Sequence, residues 1–303
     1  MEDAELTEFT LPEPKGRVLI IAGSDSGGGA GVQADIKTCA AFGAYSATAI
    51  TAVTVQNTES VREVELMRPE LVASQVVAVM EDIGADVVKI GMLGSAAIIA
   101  AVADVLESHC EDCLTVLDPV MVATSGDRLL NADAEALMIE RMLPLADIVT
   151  PNVLEAEVLT GMEIADVDAL RAAGDRLLEL GAGAAVMKGG HLDGTMIMDI
   201  LLTEDGVATM TAPRLHSRHT HGTGCTLASA IAANMALGAD IGGAVSTARE
   251  FVFEAIRTAP KLGQKKGRGN GPLNHGLALP GMGAEDEVAP DNPFAALKSL
   301  RDD

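Results

Sequence analysis

The sequence predicts an α/β fold built on a mainly parallel sheet, and three observations carry that expectation. Short apolar runs alternate with longer amphipathic segments along the chain, the pattern of strands linked by crossover helices. Hydrophobic residues make up 48% of the 303 positions, enough to bury a full core in one large domain. Aromatic residues are scarce, with no Trp, one Tyr and five Phe. Ala, Val, Ile, Leu and Met must therefore fill the interior, as suits strands covered on both faces.

Taken in order, strands are expected at residues 18–22, 47–55, 87–90, 114–117, 148–150 and 184–187, each a short apolar run bounded by turn-forming residues. Helical periodicity falls at 30–42, 69–83, 96–107, 132–142, 153–159 and 168–180. Pro69 stands at a first helical position, and Asp166 or Asp168 is placed to cap. Residues 197–202 and 207–211 flank Thr203-Glu204-Asp205-Gly206, a late hairpin with Gly in its turn. Helices at 226–237 and 241–258 close the domain. The folded unit is thus expected to span 16–276. An acidic extension (1–15) and an acidic tail (277–303) are too rich in Pro, Gly and charge to bury much.

A formal net charge of −23 argues against nucleic acid and against an anionic membrane surface as partners. An anionic ligand must then meet a local pocket lined by amides or basic groups. No run of 18 apolar residues occurs, and the first five residues are acidic where a signal peptide is basic, so a cytoplasmic location is expected. Four cysteines are too few for a disulfide scaffold. Cys110-Glu111-Asp112-Cys113 has redox or half-zinc spacing but precedes a strand, unlike a thioredoxin-type pair, and an ordinary structural role is the stronger reading.

Candidate chemistry collects at the carboxyl ends of the expected strands, where open α/β sheets bind ligands. Thr220-His221-Gly222-Thr223-Gly224-Cys225-Thr226 reads as a glycine turn opening a helix, whose unpaired N–H groups form an anion site. Cys225 at its mouth is expected to have a lowered pKa; the plainer alternative is a glycine-rich connection with a buried cysteine. The first strand runs into Gly23-Ser24-Asp25-Ser26-Gly27-Gly28-Gly29-Ala30-Gly31, which fits neither the Walker A nor the dinucleotide fingerprint. Gln56, at the end of the second strand, offers a donor and an acceptor to a heteroaromatic edge, and Met92 can lie against such a ring. Asp118 and Glu155 are carboxylates at neighbouring strand ends, a donor set suited to Mg²⁺ with a triphosphate, although Asp118 and Asn152 are also placed to cap. Lys188 precedes Gly189-Gly190-His191 and can reach a phosphate.

With these motifs in order, the chain resembles the hydroxymethylpyrimidine/phosphomethylpyrimidine kinases of thiamine biosynthesis, within the ribokinase-like superfamily. The resemblance covers roughly residues 17–275 and rests on segments 22–35, 51–58, 89–93, 117–121, 150–152, 187–191 and 220–226. It implies a three-layer α/β/α sandwich with a mainly parallel central sheet and a late β-hairpin. It also implies transfer of the ATP γ-phosphoryl, with Mg²⁺, to 4-amino-5-hydroxymethyl-2-methylpyrimidine and then to its monophosphate. By position it implies Cys225 as the base, with Gly222, Thr223 and Gly224 as the anion hole. Gln56, Asp35, Gly23 and Met92 become the substrate pocket, and Asn152, Lys188, Thr223 and Arg249 the nucleotide contacts. Asp118 and Glu155 become the metal site. Arg249 stands where relatives often carry Lys, which weakens that transfer. A homo-oligomer, commonly a dimer, is implied by the same analogy. The rivals are a pyridoxal or pyridoxamine kinase of the same superfamily, a non-catalytic pyrimidine or nucleotide sensor, and metal storage through His216, His219 and His221.

Overall fold

The structure, a computed structural model, describes residues 15–121, 130, 132–192, 194–263 and 269–277. The expected terminal segments fall almost wholly outside them. In chain order the elements are β1 (Arg17–Asp25), α1 (Gly31–Phe42), β2 (Tyr45–Gln56), β3 (Val61–Leu66), α2 (Pro69–Met80), β4 (Val87–Ile90), α3 (Ala96–His109), β5 (Leu114–Leu117) and α4 (Ala132–Leu137). They continue with β6 (Ile148–Val149), α5 (Val153–Thr160), α6 (Val167–Glu179), β7 (Ala184–Met187), β8 (Met196–Thr203), β9 (Gly206–Pro213), α7 (Thr223–Ala236) and α8 (Ile241–Arg257).

The strands form one sheet in the order β3-β2-β1-β4-β5-β6-β7-β8-β9. From β2 to β7 all neighbours are parallel, while β3, β8 and β9 pair antiparallel at the two edges. Successive β1 side chains alternate between two apolar cores. Leu19 and Ile21 pack with residues of α2, α3, α5 and α6, whereas Val18, Ile20 and Ala22 pack with α1, α7 and α8. This is the consequence of a period of 2 in a strand covered on both sides, and it yields the expected three-layer α/β/α sandwich.

Local signals set most boundaries. Ser95 Oγ accepts the Ile98 N–H at 3.3 Å, Asp166 Oδ1 that of Ala169 at 2.8 Å, and Asp240 Oδ1 that of Gly243 at 2.7 Å, each satisfying a helix-end donor. Of the two candidate caps, Asp166 is the one used. Three elements differ from expectation. β3 was not anticipated; its residues are mostly exposed, so no buried stripe marks it. The helix expected at 132–142 keeps α geometry only to Leu137 and continues as a π turn over Met138–Met142. α7 begins at Thr223, three residues before the expected start, because Gly222 already supplies the turn.

Phe42 and Phe251 meet with ring centroids 5.0 Å apart and planes tilted by 51°, in the core beneath α1, α7 and α8. With so few rings available, this pair fills volume that aliphatic side chains would leave. Phe251→Ala is expected to lower the unfolding free energy by about 3–5 kcal/mol. Urea denaturation at unchanged m-value checks this, and a loss below about 1 kcal/mol would remove the pair from the core's stability.

Candidate active site

At the carboxyl ends of the central strands, Asp118 follows β5, Glu155 lies in the first turn of α5, and Lys188 follows β7. Lys188 Nζ lies 3.2 Å from Asp118 Oδ1 and 3.8 Å from Glu155 Oε2, and both carboxylates are buried. Thr150 Oγ1 donates to Asp118 Oδ1 at 3.2 Å. Burial works against the charge on Lys188, yet Asp118 and Glu155 hold its pKa above the ordinary value. Burial pushes Glu155 up to about 7, with Lys188 pulling down and Asp118 pushing up. Asn152 and Glu155 form a reciprocal capping box at 2.8 and 3.0 Å. The capping alternative thus holds for Asn152, whose side-chain oxygen satisfies the α5 terminus.

The late glycine turn faces this cluster. Gly222 adopts a left-handed φ of 85°, which favours glycine, and a Cβ there would collide with the Gly29 carbonyl oxygen. Thr223 Oγ1 donates to the Thr220 carbonyl at 2.7 Å. The amides of Gly224 and Cys225, in the first turn of α7, have no partner inside the helix. A Cβ built at Gly224 would lie 3.3 Å from Lys188 Nζ and 3.4 Å from Asp118 Oδ2. Gly222, Thr223, Gly224, Lys188 and Asp118 are therefore one neighbourhood, as the motif order implied.

Cys225 lies there too, but its expected lowered pKa is corrected. Burial pushes the thiol up to about 12, with Lys89 opposing and Asp35 and Asp118 adding to the rise, while the Gly31 N–H donates to the sulfur. Desolvation outweighs the helix terminus. The thiol is neutral at physiological pH.

Asp35 is likewise corrected. Its carboxylate is sealed from solvent, with Lys89 Nζ at 2.9 Å and Ser229 Oγ at 2.7 Å, so it supports the site from behind. Burial raises its pKa, Lys89 and Ser229 notwithstanding. Lys89, fully buried in β4, opens the 89–93 segment, and the resemblance assigns it no role. The available signal was a lysine inside an otherwise apolar strand.

Gly23 and Met92 are brought together: a Cβ on Gly23 would lie 2.7 Å from Met92 Cε. Gln56 stands 3.3 Å from both His221 Nε2 and Thr54 Oγ1. Arg249 is not brought to the turn. Its Nε donates to Asp199 Oδ2 at 2.8 Å and its Nη2 to the Met210 carbonyl at 3.2 Å, because α8 packs it against β8 and β9. The His191 side chain falls outside the described residues. His221 is engaged by Asp25 at 2.8 Å, and among the described residues no group of three or more His, Cys, Asp or Glu is placed to hold a metal. Cys110 and Cys113 sit at the amino end of β5, the end of the sheet opposite Asp118. No helix among the described residues is long and apolar enough to cross a membrane.

A mainly parallel sandwich carrying an amide turn, a lysine and paired carboxylates at its strand ends defines a small-molecule kinase of the ribokinase-like class. Residues 25–273 match the phosphomethylpyrimidine kinase family, and the chain belongs to it. It is 47% identical over 258 residues to the hydroxymethylpyrimidine/phosphomethylpyrimidine kinase of Rhizobium meliloti, covering 85% of this chain and 96% of that protein. It is also 47% identical over 277 residues to a thiamine biosynthesis bifunctional protein of Geobacter sulfurreducens; this match covers 91% of the chain and 56% of that longer protein. The structure of the pyridoxal kinase from Staphylococcus aureus with AMP-PCP and pyridoxal is similar at a TM-score of 0.78 and 32% identity, covering 86% of this chain and 93% of that one.

A neutral Cys225 makes a chemical prediction. Peptide-resolved mass spectrometry is expected to show iodoacetamide alkylating Cys225 at least about tenfold more slowly at pH 7.5 than a free cysteine of ordinary pKa, the rate rising as pH climbs past 9. Fast labelling at pH 7 would restore the thiolate.

Proposed function

We propose that the chain transfers the γ-phosphoryl group of ATP to the hydroxymethyl oxygen of 4-amino-5-hydroxymethyl-2-methylpyrimidine, and then phosphorylates the monophosphate to the diphosphate. Membership of the phosphomethylpyrimidine kinase family supports this reading. The observation that carries it is that the first turn of α7, with the free amides of Gly224 and Cys225, lies beside Lys188 and Asp118. Free amides beside an ammonium suit a migrating phosphoryl group, whose transfer depends on positioning and charge neutralisation.

In this reading Gly222, Thr223 and Gly224 hold the phosphoryl group, while Lys188, Thr223 and Asn152 serve the nucleotide. Gln56, Gly23 and Met92 face the pyrimidine. Asp118 and Glu155 fit Mg²⁺ as two carboxylates at neighbouring strand ends, and when bound the ion would neutralise phosphate charge. Burial raises the Glu155 pKa, and a bound cation would favour its ionised form.

Cys225 enters as a thiol beside the accepting hydroxyl. Only the small fraction whose proton has passed to solvent hydroxide accepts the proton of the substrate hydroxyl, and the Lys89 ammonium favours that thiolate. Arg249 acts at a distance through Asp199. A homodimer and a cytoplasmic location belong to the same reading; sedimentation equilibrium tests the first and cell fractionation the second.

The similarity to a pyridoxal kinase favours a second reading, vitamin B6 phosphorylation at the same site. Mass analysis of products from ATP with each compound tests the reading; absence of pyrimidine mono- and diphosphate would sink it.

Cys225→Ala is expected to lower kcat by about 10²-fold and to keep ADP affinity, measured by calorimetry, within about twofold. The residual rate should lose the alkaline rise that a thiol titrating toward about 12 imposes on the wild type. Wild-type turnover in this variant would remove Cys225 from the reaction. Gln56→Ala is expected to raise KM for the pyrimidine about tenfold; an equal rise in KM for ATP would contradict the assigned role.

A further inference from the structure

The carboxamide of Gln56 sits between two groups whose protons are already used. Thr54 Oγ1 donates its single proton to the Ser24 carbonyl at 3.0 Å. On the other side, His221 Nε2 meets Asp25 Oδ2 at 2.8 Å. Asp25 also accepts the N–H groups of Gly27, Gly29 and Ala30 at 2.7, 3.1 and 2.9 Å. Burial pushes its pKa up, but His221 and these amides prevail and hold it below the usual value. An ionised carboxylate only accepts, so the shared proton lies on Nε2.

Nε2 therefore cannot accept from Gln56, and Thr54 cannot donate to it. The structure places the Gln56 nitrogen 3.3 Å from His221 and the oxygen 3.3 Å from Thr54. The two ends of a carboxamide are exchangeable in shape, and proton bookkeeping decides between them. One orientation suits both neighbours: oxygen toward the His221 N–H, which it shares with Asp25 as the longer arm of a three-centre bond, and NH₂ toward the Thr54 oxygen.

We propose that His221 is a positioning residue that, backed by Asp25, sets which way Gln56 presents its amide and so selects a heteroaromatic edge carrying an amino group beside a ring nitrogen. Once His221 and Thr54 are served, the amide keeps one lone pair and one N–H. That pair complements an exocyclic amino donor and a ring-nitrogen acceptor, the pairing by which Gln reads adenine. Pyridoxal has no amino group beside a ring nitrogen and cannot make both contacts. His221 and Asp25 are buried at 7% and 3% exposure, so water does not compete for the bond between them. The selectivity part rests on the reading of Gln56 given above; the proton assignment does not.

Two measurements separate these parts. In ¹⁵N-histidine NMR of the wild type, His221 is expected to be protonated at Nε2, and an unprotonated Nε2 overturns the proposal whatever the substrate. In kinetics, His221→Leu is expected to raise KM for 4-amino-5-hydroxymethyl-2-methylpyrimidine about tenfold and to change KM for ATP less than about twofold. His221→Gln, whose side-chain amide keeps an N–H donor, is expected to recover most of that loss. In a Gln56→Ala background, His221→Leu should add nothing. Equal rises in both KM values, or full additivity with Gln56→Ala, overturn the positioning role. If His221→Leu does not fold, the His221→Gln and Gln56→Ala pair carries the same comparison: a His221→Gln loss as large as that of Gln56→Ala overturns the proposal. Failure of the proposed function would show differently, as no turnover of the pyrimidine by the wild type with Nε2–H intact, and would remove the selectivity claim with it.

Discussion

The site depends on two glycine segments, far apart in sequence, lying against each other without side chains between them. Gly222 turns left-handed directly over the Gly29 carbonyl, and the Asp25–His221 pair ties the same two segments together. A Cβ at either face would push the segments apart by more than a hydrogen bond tolerates. The many glycines after β1 thus serve a close backbone approach, not a phosphate loop of their own.

Charge is handled locally. A chain of net charge −23 repels a polyanion at long range, although physiological salt screens that field within about 8 Å. Inside the site two buried ammonium groups face three carboxylates. Lys89 answers Asp35, and Lys188 bridges Asp118 and Glu155. Burial raises the Glu155 pKa, with Lys188 opposing and Asp118 adding to the rise, and the surplus negative charge is what a cation or a shared proton neutralises.

Most of the architecture was legible because buried parallel strands and capped helices leave regular marks. Val18 to Ala22 is an unbroken apolar run, and Asp166 caps as its position suggests. β3 was hidden because neither of its faces is buried, and the π turn at Met138–Met142 has no periodicity to betray it. At the site, motif order indicated which residues meet: the Gly224, Lys188 and Asp118 neighbourhood is as expected. Burial could not be read the same way. Cys225 has the electrostatics of a helix start and yet a raised pKa, because desolvation depends on atoms contributed by β1, β4 and α1. The resemblance placed Asp35 in the pocket by position, and nothing local in the sequence reveals the lysine brought to it from β4.

Arg249 gains meaning from the pair it makes. Asp199 accepts the Arg249 guanidinium with one oxygen and the Gly189 N–H with the other, so α8, the β8–β9 hairpin and the chain just beyond Lys188 share a single anchor. An error introduced in the outermost layer is thereby relayed inward as a misaligned ammonium, much as a loosened guy-wire tilts a distant mast. Drift at position 249 between relatives would therefore register in the placement of Lys188, although no atom of that side chain need come near it.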